Sequence, residues 1–267
     1  MADLHPTAIV DPAAELAEGV VIGPMSVVGA GVRLGPGTVV IGQAWLEGPT
    51  TLGARNRIYP GVRLGFAPQS VSYDPARPGE GLVVGDDNVL REGVTVHRAM
   101  TDEGPTRIGS GCFLMTNTHV GHDARLGDRV ILATGAVIGG HAVVEDRVNV
   151  GGNTAVHQFV RLGEGAMLSG GVATSQDVPP WFMLTAINFA PGVNLIGMRR
   201  SGMARDDIDH VRWIHRLAAR EGLLPRRLFE RLRERADVPI VARYLAWFEA
   251  SERGWATARA RATRGSA

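Results

Sequence analysis

Residues 22–53 read IGPMSVVGAGVRLGPGTVVIGQAWLEGPTTLG, and an aliphatic side chain recurs at every sixth position of this stretch. The same step extends in both directions, from Val10 to Leu64, and after an interruption it resumes at Val84 and continues to Leu168. Neither the 3.6-residue period of a helix nor the two-residue alternation of a hairpin strand produces this pattern. A six-residue period is typical of parallel β-helices, whose stacked coils bury a continuous column of aliphatic side chains.

Two segments interrupt the period. Residues 66–81, FAPQSVSYDPARPGEG, are rich in proline, glycine and serine and shift the register, whereas residues 98–107, RAMTDEGPTR, keep the register but are too polar for the column. Both compositions are typical of loops. We therefore predict two loops inserted into the coils, and loops on a rigid scaffold often carry binding residues.

The pattern changes near residue 191. Beyond it, ARDDIDHVRWIHRLAAR, LPRRLFERLRER and VPIVARYLAWFEASER have helical spacing, with acidic residues or proline at their starts. We predict a mainly β protein with two domains, a β-helix over 1–191 and an α-helical domain over 192–267. The second domain would cover the last coil, which otherwise leaves an open edge.

The charge is unevenly distributed. Residues 1–191 hold 12 arginines against 18 acidic residues, and residues 192–267 hold 16 arginines against 9, so a basic part of +7 follows an acidic part of −6. A basic segment attracts acidic partners such as nucleic acid, nucleotides or an acidic carrier protein. The chain has no lysine and one cysteine, which excludes lysine-based mechanisms and an internal disulfide. Without a signal peptide or a long apolar run, it is expected to be soluble and cytoplasmic, with no integral membrane segment.

The repeat resembles that of the hexapeptide acyltransferase superfamily. The resemblance implies a left-handed, triangular parallel β-helix with three hexapeptides, or 18 residues, in each coil. His122 of the stretch THVGHDARLG (residues 118–127) would then lie beneath Gly140, and Asp123 beneath His141. A neutral histidine can act as a general base, a carboxylate on its other nitrogen fixes the tautomer, and a glycine amide can stabilise an oxyanion.

Longer motifs narrow the resemblance. The pieces HPTAIVDP, REGVTVHR, THVGHD, GGHAVV, GGNTAVHQFVRLG, QDVPP and GVNLIGMRRSG together are similar to the UDP-N-acetylglucosamine O-acyltransferases that begin lipid A biosynthesis. This implies transfer of a 3-hydroxyacyl chain from acyl carrier protein to the 3-position of a UDP-linked glucosamine sugar. It also implies a homotrimer with active sites between subunits, no metal or dissociable cofactor, and no nucleic-acid partner.

The resemblance also assigns roles to residues. His122 corresponds to the catalytic base, Asp123 to its orienting partner and Gly140 to the oxyanion amide. Residues that correspond to substrate-binding positions are Gln69, Tyr73, His97, His119, His141, His157, Gln158, Asn194 and Arg200.

Several alternatives remain open from the sequence. Ser70, Ser72, Ile196 and Ser201 depart from the family's pattern, which leaves open a 3-amino analogue of the sugar as acceptor, or a trimeric scaffold without activity. His119, His122 and His141 are also candidate zinc ligands of a metal-dependent hydratase. The later N-acyltransferase of the same pathway is disfavoured, because the period begins at Val10 and leaves no room for that enzyme's additional N-terminal domain.

Overall fold

The computed structural model describes residues 1–74, 77 and 79–258. Its strands, in chain order, are β1 (Asp3–Leu4), β2 (Ile9–Val10), β3 (Glu15–Leu16), β4 (Val21–Ile22), β5 (Val27–Val28), β6 (Val32–Leu34), β7 (Val39–Val40), β8 (Trp45–Leu46), β9 (Thr50–Leu52), β10 (Arg57–Ile58), β11 (Arg63–Phe66), β12 (Leu82–Val84), β13 (Val89–Leu90), β14 (Thr95–His97), β15 (Thr106–Ile108), β16 (Phe113–Leu114), β17 (His119–Val120), β18 (Arg125–Leu126), β19 (Ile131–Leu132), β20 (Val137–Ile138), β21 (Val143–Val144), β22 (Asn149–Val150), β23 (Ala155–Val156), β24 (Arg161–Leu162), β25 (Met167–Leu168), β26 (Ala173–Thr174), β27 (Phe182–Leu184) and β28 (Gly192–Val193).

These strands form three sheets, which are the three faces of a parallel β-helix. Sheet 1 contains β1, β4, β7, β10, β13, β16, β19, β22, β25, β27 and β28; sheet 2 contains β2, β5, β8, β11, β14, β17, β20, β23 and β26; sheet 3 contains β3, β6, β9, β12, β15, β18, β21 and β24. All pairings among them are parallel except that of β27 with β28. The mainly β prediction from the six-residue period is therefore confirmed.

The inward aliphatic residues make the core. Every member of the six-residue series from Ile22 to Leu168 is at most 4% exposed. Val10 and Leu16, in the first coil, are only half-buried because no coil stacks beneath them. Repeats of this kind bury their apolar side only against their neighbours, so the column, rather than any single coil, is the stable unit.

Both interruptions are insertions at one corner. Most strand partners are 18 residues apart, as in Val39 with Arg57, but Arg57 pairs with Val89 at a separation of 32, which is 14 more. Val89 pairs with Phe113 at a separation of 24, which is 6 more. The extra residues leave the coil between β11 and β12 and between β14 and β15, and both connections lie between sheet 2 and sheet 3.

The corner between sheet 3 and sheet 1 carries a ladder of side-chain caps. The amide of Ala54 donates to Asp86 Oδ1 at 2.8 Å, and the amide of Asp86 to Ser110 Oγ at 3.0 Å. The amide of Ser110 then donates to Asp128 Oδ1 at 2.7 Å, and that of Asp128 to Asp146 Oδ1 at 2.9 Å. Each coil thus satisfies the corner amide of the coil before it.

The helices follow the last strands. They are α1 (Leu195–Arg200), α2 (Arg205–His215), which continues into a π-helical turn (Arg216–Arg220), α3 (Pro225–Arg233) and α4 (Pro239–Glu249). Helices α3 and α4 begin with proline, whose missing N–H costs nothing in the first turn. Residues 259–267 of the expected C-terminal domain lie outside the described residues.

Helix α4 and α2 cover the last coils. Tyr244 donates to the carbonyl of Pro180 at 2.5 Å, Trp247 Nε1 donates to Glu145 Oε1 at 2.8 Å, and His215 Nε2 lies 3.0 Å from the carbonyl of Ala190. These contacts cover the C-terminal end of the aliphatic column. Within the described part of the chain, none of the helices has the length and apolar character that crossing a membrane requires.

Candidate active site

His122, Asp123, Gly140 and His141 meet at the corner between sheet 2 and sheet 3. His122 follows β17, and Gly140 follows β20, the next strand of the same sheet. The amide of His141 donates to the carbonyl of His122 at 2.9 Å, which fixes the two coils in this register. Both insertions leave the coil at this same corner, so they border the four residues.

Asp123 holds the imidazole of His122. Its backbone has a φ of +59°, a left-handed conformation that aspartate tolerates, and its carboxylate Oδ2 lies 2.7 Å from His122 Nδ1. Burial alone raises the pKa of this carboxyl, but its hydrogen bonds with His122, Thr101 and the backbone of residues 100 and 101 outweigh burial and keep the pKa below its ordinary value. Asp123 is therefore ionised at neutral pH, and Nδ1 of His122 carries the proton that it donates. In a neutral imidazole this bond places the proton on Nδ1 and the lone pair on Nε2.

Gly140 lies against that second nitrogen. A Cβ placed on Gly140 would be 2.8 Å from both Cε1 and Nε2 of His122. Among the described residues, no acceptor takes the Gly140 amide hydrogen, in contrast to the capped amides of the ladder at the next corner. A glycine that packs against a candidate base, and whose backbone amide has no acceptor in the described part of the chain, offers the two elements that acyl transfer uses.

Two further histidines lie on the sheet 2 side. His119 Nδ1 is 2.8 Å from Thr95 Oγ1, and its ring meets that of His97 edge to face at 4.8 Å. Burial, together with the nearby His119 and His122, lowers the pKa of His97 to about 4. Burial, together with the nearby His122, also lowers the pKa of His119. Both rings are therefore neutral near pH 7. Nδ1 of His97 is buried and has no partner among the described residues.

His141 lies on the sheet 3 side. Its Nε2 is 3.7 Å from Asp123 Oδ2, and its ring stacks on that of Phe159 at 4.5 Å with an interplanar angle of 6°. A cleft of about 260 Å³ opens here, lined by Thr101, Glu103, Gly104, Asp123, Arg125, His141, Val143 and Phe159. His157 and Gln158 are exposed at the same corner one coil further on, with His157 Nδ1 3.1 Å from the carbonyl of Gln158.

The first insertion is held by a buried arginine. Arg98 donates to the carbonyls of Gly65 and Arg77 at 3.2 and 2.9 Å, and its Nε lies 3.5 Å from the Tyr73 hydroxyl. Tyr73 itself is buried and donates to the carbonyl of Arg77 at 2.8 Å. Of the two residues expected to bind substrate in this loop, Tyr73 is engaged in packing the loop, whereas Gln69 is exposed.

Asn194 and Arg200 lie elsewhere. Asn194 caps α1 by accepting from the amide of Gly197 at 2.8 Å, and its Nδ2 donates to the carbonyl of Gly165 at 2.9 Å. Gly165 lies between β24 and β25, at the corner of sheets 3 and 1. Arg200 is exposed at the end of α1. One chain therefore does not bring these two residues to His122.

The cluster is poorly suited to a metal ion. Ligand atoms of His122, Asp123 and His141 lie within 4.8 Å of one another. However, the Asp123 carboxylate already accepts four hydrogen bonds, two on each oxygen, and His119 is bonded to Thr95. A metal would have to displace several of these bonds, so the arrangement favours acid–base chemistry.

The comparisons with known proteins agree with the fold. The family profile described as UDP N-acetylglucosamine O-acyltransferase, domain 2, matches residues 177–256, and the bacterial transferase hexapeptide profile matches residues 105–140. The chain is 40% identical over 265 residues to the acyl-[acyl-carrier-protein]–UDP-N-acetylglucosamine O-acyltransferase of Burkholderia orbicola. This alignment covers 95% of this chain and 99% of the relative.

Other relatives give the same result. The enzyme of the same name from an Anaeromyxobacter species is 42% identical over 222 residues, covering 82% of this chain and 86% of the relative. The crystal structure of the UDP-N-acetylglucosamine O-acyltransferase of Moraxella catarrhalis superposes with a TM-score of 0.90 at 34% identity, covering 95% of this chain and 99% of that one.

Proposed function

Because the chain belongs to the UDP-N-acetylglucosamine O-acyltransferase family and is an acyltransferase, we propose that it transfers a 3-hydroxyacyl chain from acyl carrier protein to the 3-hydroxyl of UDP-N-acetylglucosamine. This reaction would be the first step of lipid A biosynthesis. The observation that carries the proposal is the packing of His122 between the ionised Asp123, bonded to its Nδ1, and Gly140, whose amide has no acceptor among the described residues.

In the proposed mechanism, His122 Nε2 takes the proton of the sugar hydroxyl as its oxygen attacks the thioester carbonyl carbon. Asp123 holds Nδ1–H of His122 and stabilises the imidazolium that forms. The Gly140 amide donates to the carbonyl oxygen as negative charge develops on it. Collapse of the tetrahedral intermediate forms the ester, breaks the carbon–sulfur bond, and returns the proton from His122 to the leaving thiolate.

A homotrimer would complete the site. The outward residues of sheets 1 and 2 are mostly apolar, and those of sheet 3 are mostly charged; examples are Val21, Val39, Phe113 and Ile131 on sheet 1, Val27, Trp45, Val137 and Ala173 on sheet 2, and Glu15, Arg33, Arg107, Arg125 and Arg161 on sheet 3. Apolar faces of this extent favour association.

We propose threefold packing of sheet 1 on sheet 2 of the next subunit, which would cover both of these mostly apolar faces. Such packing sets the corner of sheets 2 and 3 in one subunit beside the corner of sheets 3 and 1 in its neighbour. His122 of one subunit would then face Asn194 and Arg200 of the neighbouring subunit. The separation of these residues within one chain supports this arrangement.

The helical part offers a surface for an acidic carrier protein. Two adjoining clefts of about 350 and 590 Å³ run along α2 and share Asp209 and Arg212; the arginines that line them are Arg199, Arg205, Arg212, Arg216 and Arg220. Asp209 lies 3.3 Å from Arg212 and Glu221 lies 3.6 Å from Arg216, so arginines outnumber acidic partners here. Such a surface speeds encounter with an acidic protein.

The test is a turnover assay with 3-hydroxyacyl carrier proteins of several chain lengths, using both UDP-N-acetylglucosamine and its 3-amino analogue. We expect ester formation that is lost in His122→Ala and retained in His5→Ala, which removes an exposed histidine of the first coil. If only the 3-amino analogue is acylated, as an amide, then that analogue is the acceptor and UDP-N-acetylglucosamine is not. A wild type inert with every pair of substrates would overturn the proposal in favour of a scaffold.

A further inference from the structure

The insertion of residues 98–107 reaches over the carboxylate of Asp123. The amide of Met100 donates to Oδ2 at 3.0 Å, and the amide and hydroxyl of Thr101 donate to Oδ1 at 3.1 and 2.7 Å. From β15, at the end of the insertion, Thr106 Oγ1 accepts from the amide of Asp123 at 2.8 Å. Apart from His122, every described donor to this carboxylate therefore belongs to the insertion.

This arrangement leaves the carboxylate little freedom. The side chain of Asp123 is 6% exposed, so water cannot substitute freely for a lost donor. The Thr101 hydroxyl makes the shortest of the three bonds from the insertion. By fixing Oδ1, it fixes the rotation that turns Oδ2 toward His122 Nδ1.

We infer that Thr101 is a positioning residue of the reaction, which acts on His122 only through Asp123. This inference rests on the proposed function. The insertion would then help to orient the base, and it also lines the cleft beside His141. Thr101 touches neither reacting atom in the proposed mechanism.

The first experiment compares Thr101→Val with Thr101→Ser. Valine keeps the shape of threonine but lacks the hydroxyl, and we expect kcat to fall about tenfold, the size expected for one hydrogen bond to a charged group, while KM for the UDP-sugar stays unchanged. Without this bond Oδ2 is held less firmly toward His122 Nδ1, so the carboxylate stabilises the imidazolium less and the acidic limb of the pH–rate profile moves to lower pH. Serine restores the hydroxyl and should restore kcat and the profile. Thr51→Val, on the exposed face of β9, is the matched control.

The second experiment places Thr101→Val in an Asp123→Asn background. If Thr101 acts only through the carboxylate, Thr101→Val causes no further loss of kcat in the Asp123→Asn background. If the two residues act independently, the two fold-losses in kcat multiply. An unchanged kcat in Thr101→Val, or the same tenfold loss in both backgrounds, would overturn the inference.

A readout without turnover separates this inference from the proposed function. In nitrogen-15 NMR of the wild type, His122 should show a protonated Nδ1 bonded to Asp123, and that signal should shift in Thr101→Val but not in Thr101→Ser. An inactive wild type with this shift would remove the proposed function and leave the positioning by Thr101 in place. An unaltered signal would remove the positioning role.

Discussion

His122 and Asn194 lie at different corners of the same three-sided β-helix. His122 follows a strand of sheet 2, whereas Asn194 is bonded to Gly165 at the corner of sheets 3 and 1. Both positions correspond to site residues in the family resemblance. This separation within one chain is consistent with the proposed site shared between subunits, and under that proposal activity depends on the oligomeric state.

The first prediction concerns this assembly. Val137→Asp, on the outward side of sheet 2, should convert the proposed trimer to monomers, because association would remove the new carboxylate from water and place it against the mostly apolar sheet 1 of the neighbouring subunit. Val83→Asp, the same change on sheet 3, should leave the trimer intact. Sedimentation velocity measures both. A Val137→Asp protein that remained a trimer would contradict the proposed packing.

The second prediction concerns Gly140. The equivalent position two residues past β5 is Ala30, so the coil accepts a methyl group there. At Gly140 that methyl would press on the His122 ring at 2.8 Å. Alanine keeps the backbone amide, so the expected loss comes from displacement of the His122 ring: we expect kcat to fall about 10²-fold or more, with little change in melting temperature. A large loss of stability would instead indicate a structural role.

The third prediction concerns Asp123. Asp123→Asn removes the charge that stabilises the imidazolium, and its single amide oxygen cannot accept from both Thr101 and His122 Nδ1. We expect kcat to fall by about 10²-fold or more. Because hydrogen bonding keeps the pKa of Asp123 below its ordinary value, this group stays ionised above pH 5 and contributes no titration to the wild-type pH–rate profile in that range. Retention of most of the activity would exclude the orienting role.

The fourth prediction concerns His97. Its pKa is about 4 in the folded protein against 6.5 when unfolded, so the unfolded chain binds more protons between these values and stability falls as pH decreases from 6.5 toward 4. The slope is at most about 1.4 kcal/mol per pH unit for this group. His97→Phe should reduce this slope. The measurement is urea unfolding of both proteins at pH 7 and at pH 5, at a single protein concentration. An equal slope in both proteins would assign it to other groups.

The fifth prediction concerns the arginine-lined clefts on α2. Arg212→Glu combined with Arg216→Glu should raise KM for the acyl carrier protein about tenfold or more and weaken its salt dependence, with little change in kcat. Arg226→Glu combined with Arg231→Glu, both on exposed positions of α3, changes the charge by the same amount and is the control for charge alone. Equal effects of the two changes would point to general attraction without a defined surface.

The periodic part of the molecule was predictable from sequence and the aperiodic part was not. A six-residue step of aliphatic residues is sufficient to place the core, because each of these side chains must point inward; the coil length and the hand came from the family resemblance. Once the coil length was taken as 18, the proximity of His122 to Gly140 and of Asp123 to His141 followed by counting.

The contacts of Thr101 could not be found in this way. Residue 101 lies in an insertion, where no period relates sequence position to height along the column, and its bond to Asp123 spans 22 residues. Helix α1 was also missed as a separate element, since six residues are too few for a clear apolar period. The stack of Phe159 on His141 would have required side-chain orientations that a coil count does not give.

The lengths of the two insertions have an evolutionary consequence. They add 14 and 6 residues to their coils, yet the strands on either side return to the same stacking. Lineages can therefore lengthen, shorten or exchange these loops without repacking the interior. Selection on the acceptor or on the orientation of the base can act there independently of selection on folding, so loop length at this corner is expected to diverge faster among descendants than the number of coils.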